Sequence, residues 1–513
     1  MKATDNGITS SKQKILATVL SPLHVGSGDS LHQNLDWLYD KETKTVVFLD
    51  DVRVFKIMGT QLLDTWVDRI SINRKEDLLE FLKAQKKIVE LKDLEKNRAA
   101  LFPPYEAPKK EIFSMIRNGH GNPLIPGSSL KGSLRTAYFN FLLRQHPNLP
   151  ASNLYDPRNY KDKGLSNALF APRAERGKAP NYDSFKLLQI SDFTFKKTAI
   201  GAVDVISATG DANCDLRQDL QNFAEWISAG SQALGFIRLD TERPQLAKKY
   251  SQRNTFADSI PESISQLMEI ANNHTIKHLE EEINFAERLD LPQGVLPLPE
   301  NLKALLAEAQ NCEKGECVIH TGMGVGYKGI TGNWVKDYLP VQEQKKLAAK
   351  VREKPRQKTT DDRLPFPRSR KLAPEGWPPG YLKLSVLTAG KEAALKNEAL
   401  RIEKEKIEKE QQALKEAQEA EERRKHEEEQ AKKPQFYTGQ TIKEMQSELE
   451  AVISYVNSKP YKAKVYLREP EIQEIEFVGY NNPPLHETVM VYPAQITKKG
   501  VIKQVKFKAF KNK

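Results

Sequence analysis

The sequence predicts an α+β fold, and three features predict it. Residues 1–390 alternate β-patterned apolar runs with stretches of helical periodicity. Residues 391–433 are dominated by charge, and residues 434–513 return to short β-patterned runs. The expected organisation is a core over 12–205, a helical insertion and glycine-loop part over 206–388, a charged helical linker over 391–433 and a small basic β-rich extension over 434–513.

The elements follow in chain order. Ile15–Leu20 is a β-rich run that ends in Ser21-Pro22, then reaches Gly26-Ser-Gly28, so it reads as strand, turn and open loop. Thr45–Leu49 is a second strand closed by Asp50-Asp51, and residues 75–100 have a helical pattern. Leu130, Leu134, Tyr138 and Phe141, with Ala137 beside them, fall at helical spacing. That predicts a helix from Ser128 or Ser129 to about Gln145. Residues 150–182 are polar and Pro-rich without a period, and Leu187–Asp192 reads as a strand. Residues 215–310 read as mostly helical. A short strand from Cys317 enters a glycine loop that ends at Gly329, and a basic connector spans 341–358. The Pro365–Lys371 and Gly380–Val386 segments close this part.

Residues 391–433 hold 12 Lys/Arg and 13 Glu, which predicts a solvated helical spacer. Leu400, Ile407 and Leu414 repeat at seven, but the seam is too short for a coiled coil. The extension should carry a helix near 440–456 and strands at Ala463–Leu467, Val489–Tyr492 and Val501–Phe507. From Lys498 to the end there are seven Lys and no acid, a basic tail.

Composition narrows the function. The 513 residues carry a formal net charge of +11, which favours an anionic partner such as nucleic acid. No apolar run approaches the ~18 residues of a membrane span, so no membrane is expected. The best early run has Asp5 upstream, which argues against a secretory signal. Three Cys exclude a disulfide scaffold and fit a reducing, cytoplasmic setting.

Three motifs could carry chemistry. Gly127-Ser128-Ser129-Leu-Lys131-Gly-Ser-Leu-Arg135 opens a helix with cations where a self-sufficient helix would place acids. Serine hydroxyls, glycines and a helix N-terminus suit a phosphate, and the same residues also read as an ordinary Ser cap with surface charges. The loop Gly322-Met-Gly324-Val-Gly326-Tyr327-Lys328-Gly329 exposes backbone, with Tyr327 as a stacking face and Lys328 as a phosphate partner. It is too late in the chain, and too far from an immediate helix, for a dinucleotide fingerprint, while a plain strand-connecting turn stays open. His24 with Gly26-Ser27-Gly28 is the third, and a His after a strand is more often packed than catalytic. Cys312, Cys317 and His320 lack a fourth zinc ligand, so neither a metal nor a cofactor is expected.

Taken together, Leu20–Gly28, Ile125–Thr136 and the late glycine loop resemble the RAMP superfamily of CRISPR effector proteins. Their order and spacing are most similar to the Csm subunit that caps the 3′ end of the crRNA in type III-A complexes. Leu188–Asp192, Pro367–Arg370 and Gly380–Leu384 resemble further segments of that family, and the resemblance covers about residues 12–388. Residues 391–513 have no counterpart in it. The resemblance implies a ferredoxin-like (RRM-like) core with insertions, and a crRNA held through its backbone. By position it implies an RNA path along His24, Gly26, Ser27 and Gly28, then Gly127, Ser128, Ser129, Lys131 and Arg135, then Gly322, Gly324, Gly326, Tyr327 and Lys328. Arg368 and Arg370 are weaker members.

The expected function is a non-catalytic crRNA-binding subunit in antiviral defence, capping the guide's 3′ end and supporting its maturation. Its expected partners are crRNA, other effector subunits and recruited cellular nucleases. Two alternatives stand beside it. One is a ribonuclease using His24, Asp29 or Asp36, and the other is a scaffold acting through 391–513.

Overall fold

A computed structural model describes residues 11–72, 76–104, 107–109, 111–146, 165–171, 183–240, 260–329, 340–342, 344, 367–432, 449–452, 461–466, 474–478, 488–498 and 502–510. Two compact units divide the chain, Met1–Glu392 and Ala393–Lys513.

The first unit is built on a five-stranded sheet of β1 (Ser11–Val19), β2 (Leu188–Ile190), β3 (Gln232–Leu239), β4 (Glu316–His320) and β5 (Tyr381–Val386). Their spatial order is β4-β5-β1-β3-β2, and every neighbouring pair is antiparallel. Helix α1 (Gly127–Gln145) lies in sequence between β1 and β2, and α2 (Ile264–Glu287) between β3 and β4. Without the edge strand β4, the path β1-α1-β2-β3-α2-β5 with order β5-β1-β3-β2 is the split βαβ arrangement of a ferredoxin-like sheet.

Alternation explains the packing. Ile15, Ala17 and Val19 of β1, with Ala233, Ile237 and Leu239 of β3, are buried in one cluster with α1 and α2. The α1 stripe is the expected one: Leu130, Leu134, Ala137 and Tyr138 are buried, and Phe141 packs against the same cluster. A third helix, α3 (Leu298–Gln310), packs beside α2 through Leu298, Leu302 and Leu305.

The insertions are more β-rich than the sequence suggests. A nine-stranded sheet runs from Gly26–Leu31 through Ile112–Met115, Asn222–Trp226, Ala199–Ala208, Glu95–Leu101 and Thr45–Leu49 to Trp37–Asp40. Cys214–Leu216 and Ser369–Leu372 add to Ala199–Ala208, which crosses the expected 205/206 boundary. The expected helical stretch 215–310 therefore starts with strands, and among the described residues only Ile264–Glu287 and Leu298–Gln310 form long helices there. Asn222–Trp226 and Gln232–Leu239 pair with different sheets, and Gly230 (φ 81°) turns the chain between them. Residues 75–100 are also mixed, because Glu95–Leu101 pairs with Thr45–Leu49. Asp50 and Asp51 close the second strand as expected and also start the helix Asp51–Ile72, where Asp50 Oδ1 accepts the Arg53 N–H.

The charged linker is helical as expected: α4 spans Ala389–Lys432. Leu400 and Ile407 are exposed on it, which fits a spacer. The extension is a closed barrel of β6 (Leu449–Val452), β7 (Tyr461–Tyr466), β8 (Glu474–Val478), β9 (Thr488–Ile496) and β10 (Ile502–Phe510). The expected strands at 463–467, 489–492 and 501–507 correspond to β7, β9 and β10. The helix expected near 440–456 is a strand at 449–452, and its remainder lies outside the described residues. Most of 150–182 and of the 341–358 connector lies outside them as well.

Candidate nucleic-acid interface

The three motifs are far apart in sequence and meet at one end of the ferredoxin-like sheet. Past β1 the chain turns at Ser21-Pro22, where Pro22 O accepts the Gly380 N–H at 3.0 Å. His24 O accepts the Met323 N–H at 2.8 Å, so the first loop and the glycine loop are joined backbone to backbone. A Cβ on Gly322 (φ 77°) would collide with that same His24 carbonyl, so only glycine lets the two loops close. Helix α1 joins from the other side, since Ser133 Oγ donates to His320 O at 2.8 Å, just before the glycine loop.

Each expected residue has a definite place in this frame. Gly26, Ser27 and Gly28 are exposed on the strand Gly26–Leu31, and a Cβ on Gly28 (φ 100°) would meet nothing. Ser128 is exposed in the first turn of α1, and Gly132 faces open space one turn on. Gly326 is open too. Gly324, by contrast, lies against Pro379, and Gly127 is pressed onto Ile190 O, so these two glycines serve packing.

The charged members face inward. The Gly127 N–H donates to Asp192 Oδ1 at 2.8 Å, so the positive end of α1 already holds a carboxylate of the chain. Lys131 Nζ donates to Leu188 O at 2.7 Å, and burial lowers its pKa. Arg135 forms a two-pronged pair with Asp183, at 2.9 and 2.7 Å, and stacks on Phe170 at 3.9 Å. Ser129 donates its N–H to Pro126 O within the helix start, and no serine side chain caps α1. Lys131 and Arg135 thus already have partners within the chain.

The glycine-loop lysine is also internal. Lys328 Nζ lies 3.6 Å from Glu282 of α2, and Arg370 donates to the same carboxylate at 2.5 and 2.9 Å. Burial pushes the Glu282 pKa up, but Arg370, His278 and Lys328 outweigh it and hold it at about 2. Above this ion group, His320 stacks on Tyr381 (centroids 4.2 Å apart) and donates through Nε2 to Pro379 O at 2.9 Å. Burial lowers His320 to about 4 and His278 to about 3, so both rings are neutral at neutral pH. Tyr327 is half-buried rather than presented.

His24 is a packed residue, only 2% exposed. Its Nδ1 donates to Glu225 O at 2.7 Å, it meets Trp226 edge-on, and burial lowers its pKa. Glu225 itself is buried and holds Arg117, Thr198 Oγ1 and the Met115 N–H. Asp36 Oδ2 accepts the His32 N–H at 2.7 Å in a local turn, and Asp29 stays exposed. Cys312 and Cys317 have raised pKa values from burial, and no metal-holding cluster exists among the described residues.

The candidate interface is therefore a backbone surface: Gly28, Gly132 and Gly326 face open space, Gly26, Ser27 and Ser128 are exposed, and ion pairs within the chain brace the loops. Backbone N–H groups and small residues can meet phosphates and sugars without reading bases. The bracing acids Asp183, Asp192 and Glu282 are the functional supports that sequence reading missed. Only the spacing of His274, His278 and Glu282, four residues apart on one helix face, hinted at the last of them.

A family model for the RAMP superfamily matches residues 16–422. The chain is a member of the RAMP superfamily. The match spans the ferredoxin-like sheet, all three motifs and most of α4, and leaves out the barrel. Among solved structures, this RAMP protein is similar to a chain of the cryo-EM structure of a Csm–crRNA–target RNA ternary complex of a type III-A CRISPR-Cas system. That similarity has a TM-score of 0.53 at 19% identity and covers 73% of this chain and 100% of that one. It is also similar to the crystal structure of T. onnurineus Csm5, with a TM-score of 0.48 at 20% identity, over 72% of this chain and 100% of that one. No curated protein sequence matches it. Among the described residues no helix is long and apolar enough to cross a membrane.

Proposed function

We propose that this RAMP protein is a non-catalytic crRNA-binding subunit of a type III-A CRISPR effector complex. It caps the 3′ end of the guide and supports its maturation in antiviral defence, with other effector subunits and recruited nucleases as partners. The observation that carries this reading is the joining of the first loop, α1 and the glycine loop through His24 O and His320 O, which brings the three motifs together at one end of the sheet. The likeness to a chain from a complex containing crRNA and target RNA supports the choice of partner. Two engagements support a non-catalytic role: His24 is buried with its Nδ1 on Glu225 O, and Asp36 is committed to a turn.

The first test is to purify the tagged chain from its native cells and sequence the RNA bound to it. Uniform short RNAs with a repeat-derived 5′ tag are expected, with 3′ ends that define the cap. A broad cellular mixture would sink the guide-RNA reading. At the site itself, Gly132→Glu adds a carboxylate in open space and removes a helix glycine, which should stabilise α1 by up to about 1 kcal/mol. Guide binding should fall while the melting temperature does not. Unchanged guide binding would move the RNA path off α1.

A further inference from the structure

The barrel beyond the family match has its own chemistry. Around the barrel its five strands are arranged β6-β7-β8-β10-β9, closed by β6–β9 pairing. All pairs are antiparallel except β8–β10, which is parallel. An order of 1-2-3-5-4 with a parallel 3–5 pair is that of an OB-fold, a five-stranded Greek-key barrel. The fold alone assigns no ligand, so the argument rests on its faces.

Burial, with register shifts that interrupt strict alternation, sorts the β9–β10 hairpin. Val489, Val491 and Pro493 of β9, with Ile502 and Val505 of β10, are buried in the barrel. Lys503, Lys506 and Lys508 are exposed on β10, and Lys498 is exposed in the turn that leads to it. Tyr492 is the cross-strand partner of Lys506. From Thr488 to Lys513 there are seven Lys and no acid. The β7–β8 pair is different, because its register sets Lys462 opposite Glu476 and Lys464 opposite Glu474. Charge is balanced across that pair, whereas β9 and β10 carry no acid of their own.

We propose that the outer face of the β9–β10 hairpin binds single-stranded nucleic acid, with Lys498, Lys503 and Lys506 on its phosphates and Tyr492 as a stacking platform. Single-strand binding surfaces pair backbone charge with aromatic stacking and hold about 4–16 nucleotides per barrel. It stands on the barrel's own residues, independently of where the guide lies on the ferredoxin-like core.

The test titrates the full chain with labelled oligouridylate over a range of salt. The triple variant Lys498→Ala, Lys503→Ala, Lys506→Ala should flatten the plot of log K against log salt by about 2, from about 0.7 per lost phosphate contact. All three positions are exposed, so the fold should survive. Tyr492→Ala should weaken binding by about 5- to 150-fold, and Tyr492→Phe should restore it. Oligodeoxythymidylate, run alongside, shows whether RNA is preferred or the phosphates are bound regardless of sugar. An unchanged slope in the triple variant overturns the proposal, as does full binding by Tyr492→Ala. Guide RNA co-purified with the triple variant reports on the core separately, so either reading can fail without the other.

Discussion

Glu282→Ala removes the carboxylate that joins α2 to two other parts of the chain. Glu282 accepts two bonds from Arg370, at 2.5 and 2.9 Å, and faces Lys328 at 3.6 Å. All three side chains are 19% exposed or less, so solvent cannot replace the lost charge cheaply. Breaking a buried ion pair by removing one partner costs about 3–5 kcal/mol, because the remaining charge stays buried. Arg370 keeps its stacking on Phe285 at 4.0 Å and its bond to Pro367 O at 2.7 Å, which argues for the lower half of that range. For a unit of 392 residues, an unfolding entropy of about 2.1 cal/mol/K per residue converts this cost of about 3–4 kcal/mol to a fall of about 4–5 °C in melting temperature. Scanning calorimetry at neutral pH measures it. Glu282→Gln keeps an acceptor for Arg370 and should lose less. Guide binding should weaken as well, since Lys328 would no longer tether the glycine loop. A fall of less than about 1 °C would refute the view that this ion group braces the site.

Two further outcomes follow from the same geometry. Arg135→Ala should lower stability by about 1–3 kcal/mol, through the lost two-pronged bond and the lost stacking on Phe170, while the salt dependence of RNA binding stays as in the parent; a flattened salt slope would return Arg135 to the phosphates. Acid should destabilise the first unit, because His278 and His320 are held at about 3 and about 4, below the unfolded value of 6.5. Between about pH 6.5 and 4 the unfolded chain then binds more protons, so stability is present above 6.5 and is lost as pH falls, by up to about 1.4 kcal/mol per unit for each ring. Glu282, held at about 2, adds to the loss below about pH 4.5. A melting temperature that stays flat from neutral pH to about pH 5 would show that the rings are solvated.

The sequence by itself determined the features that arise within a few residues. The α1 stripe from Leu130 to Phe141, the strand Thr45–Leu49, the charged helix from Ala389 to Lys432 and the glycines of both loops are local patterns, and periodicity or backbone freedom reads them directly. The motifs that resemble the RAMP family also meet at one end of the ferredoxin-like sheet. Tertiary structure decided what the charges do. Lys131 and Arg135 look like phosphate ligands along the chain, and in space they meet Leu188 O and Asp183, 57 and 48 residues away. Lys328 and Arg370 meet Glu282, and Arg370 is 88 residues from it. The strands Asn222–Trp226 and Gln232–Leu239 were read as helix because each takes its partners from distant segments in different sheets. An ion pair or a strand pairing is a relation between two places in the chain. Its energy depends on a distance and a burial that no single window of sequence contains, and for that reason only the fold could separate the residues that brace this surface from those that stay exposed on it.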